Sequence, residues 1–347
     1  MAMKKNPSRS YDRKEYKTLL KSAIPAAIMA SDGTRFDSED DASVFFAREL
    51  DHVKAESYDV EYPEFTALNL FPVSSETDPG AETVTYYTYD KTGLAKVIDN
   101  YSTDLPRADV TGKPSYAQVK SIGDSYGYSA QEMRASRLAG KSLDSRKAES
   151  ARYQIDNLTN RIAWAGDENS GLMGVLSTGQ NVPLYTISNG AGGKADWASK
   201  TADEILADIN GMQKQVAKVT KNVERPDTLC VPSDIYMDIS TRRIPDTATT
   251  VKAFLLENAP YLKNIVSAAE LDADSVDTNP YAKATGGKGV AFLFKNDKRK
   301  MALENPMPFM QYPLQIKGLE TVIPCEARTA GVIFYYPLSA LIAVGVS

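Results

Sequence analysis

Histidine is nearly absent from this chain, whose 347 residues include only His52. Zinc-binding helices of the HExxH type need two histidines, so that class of site is excluded. His52 itself falls within a predicted amphipathic helix over residues 42–53. The acidic stretches at 32–41 and 272–277 lack the ligand spacing and the loop glycine of an EF-hand. The sequence therefore predicts neither a metal site nor a cofactor, and it gives no support for an enzyme.

Cysteines and long apolar runs are also scarce. Cys230 and Cys325 each lie in an apolar, strand-like run, which predicts buried free thiols and no disulfide. No segment approaches the 18 or so apolar residues of a membrane span. The short run from Ala23 to Ala30 is interrupted by Pro25, so no signal peptide is predicted. We expect an intracellular protein that makes no membrane contact.

The charge of the chain is unevenly distributed. The net charge is −5, yet residues 1–21 contain seven basic and two acidic side chains. This leader therefore carries +5 and the remainder of the chain −10. Two interpretations stay open: a solvated leader, or a segment that contacts nucleic acid or an acidic neighbour.

The pattern of residues 129–167 predicts one long helix, the element around which the rest of the chain is organised. Ser129 and Glu132 have the spacing of a capping box, and no proline follows before Gly166 and Asp167 end the segment. A helix of about 36 residues would span roughly 54 Å. Its second half carries an apolar stripe that needs a partner surface, formed by Ala151, Ile155, Leu158 and Ile162.

Extended segments precede this helix. Residues 1–75 contain short, separated apolar pieces, which indicate an arm that packs on other subunits more than on itself. Two β-rich runs, 83–98 and 115–128, predict a long hairpin within 76–128. Alternation gives this hairpin no clear core face, so it too needs a partner surface.

The remainder predicts a mixed α/β region and a closing sheet. A helix from Thr201, strands at 228–231 and 290–294, and two short helices between them indicate a compact α/β domain over 201–299. Residues 189–194, Asn-Gly-Ala-Gly-Gly-Lys, do not match the GxxxxGK[ST] phosphate-binding spacing. We expect the β-rich segment 300–347 to join 129–200 and to pack on the long helix.

In their order along the chain, these elements resemble the major capsid protein of tailed bacteriophages, the fold first described for phage Hong Kong ninety-seven. The resemblance covers essentially the whole chain. The family-like segments are FARELDHVKAESYDVEYPEF at 46–65 and GLETVIPCEARTAGVIFYYPLSAL at 318–341.

The resemblance implies an α+β fold with four parts. An N-terminal arm covers 1–75 and an extended β-hairpin, the E-loop, covers 76–128. A peripheral domain with the spine helix covers 129–200 and 300–347. An inserted α/β axial domain covers 201–299.

The resemblance also implies function and partners. The chain is expected to self-assemble into an icosahedral head shell, as pentamers and hexamers, and to be part of the virion after assembly in the host cytoplasm. Expected partners are a portal and a scaffold or decoration protein, and the shell would enclose DNA without reading its sequence. Some relatives join a hairpin lysine to a neighbour's asparagine, but we expect non-covalent assembly here.

Candidate assembly residues are the aromatic residues of the arm and hairpin together with the hairpin lysines, namely Phe46, Tyr58, Tyr62, Tyr86, Tyr87, Lys91 and Lys113. Three other hypotheses remain open. The same architecture could form a cellular nanocompartment of the encapsulin type. An α/β enzyme could use the loop at 189–194, or the basic leader could bind DNA.

Overall fold

The computed structural model describes residues 62–97, 105–139, 146–284 and 288–347. The chain divides into a unit from Met1 to Glu64, of which only residues 62–64 are described, and a unit from Phe65 to Ser347. The predicted helix at 42–53 lies outside the described residues. Among the described helices, none has the length and apolarity needed to span a bilayer.

The second unit mixes helices and strands throughout. Its helices are α1 (Ala67–Leu70), α2 (Ala130–Ala139), α3 (Arg146–Ala165), α4 (Ala202–Val219), α5 (Ser233–Thr241), α6 (Val251–Asn258) and α7 (Pro280–Ala284). The strands of its first half are β1 (Val73–Ser74), β2 (Thr83–Thr92), β3 (Asp109–Gln118), β4 (Lys120–Ser129), β5 (Leu184–Thr186), β6 (Thr228–Val231) and β7 (Asn264–Ser267). Those of its second half are β8 (Val290–Phe294), β9 (Met301–Glu304), β10 (Met307–Gln311), β11 (Gln315–Lys317), β12 (Glu320–Thr329), β13 (Gly331–Phe334) and β14 (Ala340–Val344).

A five-stranded sheet of order β5-β14-β8-β6-β7 lies between two hydrophobic cores. Alternate residues of its strands enter opposite cores, so that Leu341 joins one and Ile342 the other. The first core is closed by α4, α5 and α6, and the second contains Trp164 of α3 and Phe71. Burial on both faces explains why these strands are short, continuous apolar runs. The predicted strands at 228–231 and 290–294 are confirmed.

The position of β14 corrects one expectation. Strand β14 joins the sheet that contains the strands of the 201–299 region, because it pairs with β5 on one side and with β8 on the other, while its Ile342 shares a core with Trp164 of α3. Its five residues are almost entirely buried. A strand that is apolar on both faces suits the centre of this two-sided sheet better than a half-exposed sheet.

Two further sheets surround α3. Strand β12 pairs along its full length with β4, and its other edge pairs with β10 and β11. A small sheet of order β1-β9-β13 lies beside them. The apolar stripe of α3 packs on β4 and β12, where Ala151, Ile155 and Ile162 are buried and Leu158 is half-buried.

The predicted single helix over 129–167 is wrong. The capping box is present, since the Ser129 N–H donates to Glu132 Oε2 at 2.9 Å and the Glu132 N–H donates to Ser129 Oγ at 3.1 Å. However, Lys147 Nζ lies 3.3 Å from the Glu132 carboxylate. Fifteen residues of straight helix would separate these two backbones by about 22 Å, so α2 and α3 are distinct helices. Gly166, with φ of +77°, ends α3 as predicted.

The end of the predicted arm also differs from expectation. Phe71 is buried, and its ring centroid lies 4.9 Å from that of Trp164. A polar network holds the preceding turn: Glu270 accepts hydrogen bonds from Thr66 Oγ1 and Asn160 Nδ2, both at 2.8 Å. Residues 65–74 therefore belong to the core of this subunit, because an aromatic anchor and a buried carboxylate fix them.

Candidate assembly surface

The hairpin formed by β2 and β3 is exposed at most of its residues. The two strands pair antiparallel over ten residues, from Thr83 opposite Gln118 to Thr92 opposite Asp109. The second predicted strand, 115–128, was placed wrongly, since it includes the end of β3 and most of β4. Val119 separates the two, and its N–H donates to the Glu82 carbonyl at 2.8 Å.

One face of the hairpin leans on the body of the subunit. Val84, Tyr86 and Thr88 lie on this inner face and are half-buried. The Tyr86 ring meets the Tyr335 ring edge to face, with centroids 5.1 Å apart. The Tyr335 hydroxyl donates to the buried Glu304 carboxylate at 3.3 Å. Burial and the Glu304 carboxylate both raise the pKa of Tyr335, so this hydroxyl remains a donor.

The outer face of the hairpin is aromatic and open to solvent. Tyr87, Tyr89 and Tyr116 are 61%, 71% and 70% exposed. Tyr87 and Tyr89 stack with ring centroids 6.4 Å apart. Gly112 lies opposite Tyr89, and a Cβ there would come within 3.0 Å of the Tyr89 ring. A glycine at this position lets the ring lie across the neighbouring strand. The outer face is a ready contact surface.

The predicted assembly residues are distributed over both faces. Tyr86 lies on the inner face and Tyr87 on the outer one. Lys91 is opposite Val110 on the outer face, whereas Lys113 is opposite Thr88 on the inner face, so the hairpin does not bring the two lysines together. Tyr62 is exposed. Phe46 and Tyr58 lie outside the described residues.

Sequence reasoning missed two parts of this surface. Tyr89 and Tyr116 belong with Tyr87, and the signal was available, because Tyr89 alternates with Tyr87 along β2. Tyr116 required the strand register, which the misplaced second strand concealed. The turn around β11 is the other part: Leu314, Ile316 and Leu319 were not among the predicted assembly residues, yet they are exposed.

In the loop at 189–194, a carboxylate of this chain occupies the position that a bound phosphate would need. The Ala191 N–H donates to Glu204 Oε1 at 2.6 Å, while Glu204 and Thr201 form a capping box at the start of α4. Hydrogen bonds from the Thr201 and Ala191 backbones hold the pKa of Glu204 below its usual range. Lys194 is exposed. This geometry weighs against a nucleotide site.

Two further features bear on catalysis. Residues 123–127, Gly-Asp-Ser-Tyr-Gly, match the GxSxG pattern of a hydrolase nucleophile elbow. They lie inside β4, which pairs with β12 without interruption, whereas an elbow needs a sharp strand-to-helix turn. Cys230 and Cys325 are buried free thiols, as predicted, and burial raises both pKa values. Within the described ranges, no group of three or more histidine, cysteine or acidic side chains could hold a metal ion.

Solved structures with the same fold are shell proteins. The capsid of Myoviridae phage XM1 superposes with a TM-score of 0.71 at 17% identity, covering 88% of this chain and 100% of that one. The capsid of cyanophage Pam1 gives a TM-score of 0.56 at 12% identity, covering 88% of this chain and 98% of that one. A virus-like particle from Pyrococcus furiosus gives a TM-score of 0.50 at 12% identity, covering 80% of this chain and 91% of that one. The fold is therefore that of tailed-phage capsid subunits, first described for phage Hong Kong ninety-seven.

The family assignment is independent of these superpositions. Residues 93–346 match the model of the major capsid protein family, which is most of the chain. The chain belongs to that family. It is a structural, shell-forming capsid protein that associates with copies of itself and forms part of the virion. Among curated proteins, none matches this chain in sequence at a significant level.

Proposed function

We propose that this chain builds the icosahedral head shell of a tailed phage and that its hairpin is the element that joins neighbouring subunits. The observation that carries this proposal is the outer face of the hairpin. Three tyrosines there are at least 61% exposed on a strand pair whose inner face already leans on its own body. Large aromatic side chains dominate the energetics of protein interfaces.

The neighbourhood of the outer face supports the same role. Leu94 and Leu105, which flank the hairpin tip, are exposed, as is Val110 on β3. Exposed apolar groups in this number are unfavourable on a free surface, so burial against a neighbour would stabilise the assembly. We assign the hairpin as the E-loop and the domain built on the five-stranded sheet as the axial domain of the capsid fold.

The remaining partners follow from the shell function. We propose assembly through non-covalent contacts in the host cytoplasm, with a portal and a scaffold or decoration protein as partners. The shell would enclose DNA without sequence-specific contacts, in keeping with the chain's net negative charge. The Pyrococcus furiosus particle has the same fold, so a nanocompartment shell remains the second candidate. Nucleic acid inside particles made in the native setting would favour the phage head, and a protein cargo would favour the compartment.

The test replaces Tyr87 and Tyr89 by alanine in the full chain. We expect the double variant to stay folded, because both side chains are exposed, and to lose assembly by at least about 2 kcal/mol per contact. Sedimentation velocity and negative-stain electron microscopy measure this loss. The matched control is Tyr87→Phe with Tyr89→Phe, which keeps the rings and should assemble normally. Full assembly of the alanine variant would show that the outer face of the hairpin does not lie in the interface. A parental chain that stays monomeric at high concentration would contradict the shell function.

A further inference from the structure

One end of the five-stranded sheet carries a group of unneutralised basic side chains. Strands β6 and β7 begin at this end and β8 finishes there, because β6 pairs parallel with β7 and antiparallel with β8. The segments that meet at this end are joined by hydrogen bonds, such as that from the Lys263 N–H to the Asp227 carbonyl at 2.8 Å. Their exposed basic side chains, here called the basic end, are Lys218, Lys221, Arg225, Lys263 and Arg299.

Two carboxylates near the basic end are already paired with lysines outside it, whereas Asp297 lies beside Arg299 and accepts the Arg299 N–H at 2.9 Å. Lys300 Nζ lies 2.6 Å from Glu224, and Lys295 Nζ lies 2.6 Å from Asp227. Within the described residues, no ion pair joins a side chain of the basic end to a carboxylate. The guanidinium of Arg225 lies 5.0 Å from the centroid of the Tyr261 ring, which orients it. A positive surface therefore remains on a chain whose net charge is −5.

The opposite end of the same sheet carries acidic side chains. Strands β6 and β7 finish there, and the exposed or half-buried carboxylates that follow them, here called the acidic end, are Asp234, Asp272, Asp274 and Asp277. The Ser233 N–H donates to Asp272 Oδ1 at 2.9 Å, which joins the two acidic segments. Burial raises the pKa of Asp272 to about 6, and the carboxylates of Asp234, Glu270 and Asp274 add to the effect. Within the described residues, no ion pair joins the four carboxylates of the acidic end to a cation. Lys288, just before β8, and Lys194, in the loop after β5, are exposed cations on this side.

Exposed apolar side chains accompany both charged ends. Val219 and Val223 lie beside Lys218 and Lys221, and they are 54% and 75% exposed. Met237 lies three residues after Asp234, on the same side of α5, and is exposed. Each end thus combines apolar contact area with charge that is mainly of one sign, a composition that suits a docking surface.

We propose that the basic end of one copy docks on the acidic end of the next copy, in a head-to-tail contact. This inference rests on the proposed shell function and names the contact that forms its rings. Two unlike surfaces at opposite ends of one domain make a heterologous interface, which closes into rings when the rotation allows. Complementary charge would steer the approach and fix the register. Nucleic acid could explain the basic end alone, but it leaves the acidic end unexplained, so a second copy is the better partner.

Charge reversal tests this contact in the full chain. We expect Lys218→Glu with Lys263→Glu to raise the protein concentration needed for assembly at least about tenfold, because like charges would then face each other. Asp274→Lys with Asp277→Lys should have the same effect. In the chain carrying all four substitutions, opposite charges face each other again at the substituted positions, so it should regain assembly relative to either pair. Light scattering against protein concentration measures assembly, and circular dichroism checks the fold.

The matched control is Lys194→Glu with Lys288→Glu. It makes the same change in net charge but makes the acidic end more negative, so assembly should not be weakened. The proposal is overturned if either interface pair assembles normally, or if the four-substitution chain assembles no better than the pairs. A basic-end pair that assembles normally but loses affinity for duplex DNA would assign this surface to nucleic acid instead. Failure of the unsubstituted chain to form shells would contradict the proposed function and not this contact alone.

Discussion

Asp272 shows how a single residue can link subunit stability to pH. Its pKa in the folded chain is raised to about 6 by burial and by the neighbouring carboxylates of Asp234, Glu270 and Asp274. An unfolded chain would titrate this group near its ordinary value of 3.8. Between these two values the folded chain binds more protons than the unfolded chain, so stability falls as the pH rises through this window. Above about pH 6 the ionised Asp272 carboxylate destabilises the folded chain to its full extent.

We therefore predict that Asp272→Asn stabilises the unassembled subunit at neutral pH. The amide oxygen can still accept the Ser233 N–H, while the charge is removed. The gain should be on the order of 1 kcal/mol after allowance for solvent screening, and it should shrink below about pH 4. Thermal unfolding at a series of pH values measures it. Asp277→Asn, an exposed carboxyl in the same segment, is the control. A gain independent of pH would show that the charge of Asp272 is not its cause.

At the scale of elements, α3 is held to the sheet by its apolar stripe. Ile155 is 1% exposed and belongs to the cluster that includes Ile122 of β4 and Cys325 of β12. We expect Ile155→Asp to destabilise the subunit by about 3–5 kcal/mol, since an unpaired charge would be buried there. Soluble yield and urea unfolding measure the effect. Asn157→Asp, on the exposed side of the same helix, should leave stability nearly unchanged, and equal stability of both variants would show that the stripe is not a core surface.

Periodicity predicted the helices and buried strands of the α/β region because those signals are local. Helix α4 begins after Thr201 as expected, and its apolar positions Ile205, Ile209 and Met212 are buried. The same reasoning predicted the stripe of α3 but merged α3 with α2. The stop and start signals were present in the sequence, since Gly140 follows α2 and Asp144 and Ser145 precede α3, but the absence of proline was given more weight. The contact between Glu132 and Lys147, which divides them, is tertiary.

Local sequence patterns did not predict which strands pair with each other. Residues 115–128 form one β-rich stretch in the sequence, yet it contains the end of β3, which pairs with β2, and most of β4, which pairs with β12. The change of partner at Val119 has no turn signal. For the same reason the outer face of the hairpin was only partly predicted, because Tyr116 joins Tyr87 and Tyr89 only through the register of β2 and β3. A strand pattern states which residues share a face but not which strand lies beside it.

At the scale of the whole molecule, charge separates the leader from the body. Residues 1–21 carry a net charge of +5 and the rest of the chain −10. We predict that deleting residues 1–21 removes most of any salt-sensitive affinity for DNA while shells still form. Fluorescence anisotropy with duplex DNA at low and high salt measures the affinity, and sedimentation measures assembly. A deletion variant that binds DNA as strongly as the full chain would place the contact on the body of the subunit.

The central position of β14 has a consequence for synthesis on the ribosome. This strand lies between β5 and β8, and it contributes to the cores on both faces of the sheet. Until residues 340–344 have left the exit tunnel, β5 lacks its partner strand and both cores are open. A nascent chain therefore cannot complete the domain that carries the basic and acidic ends. Both ends are therefore available for association with other copies only after β14 has taken its place in the sheet.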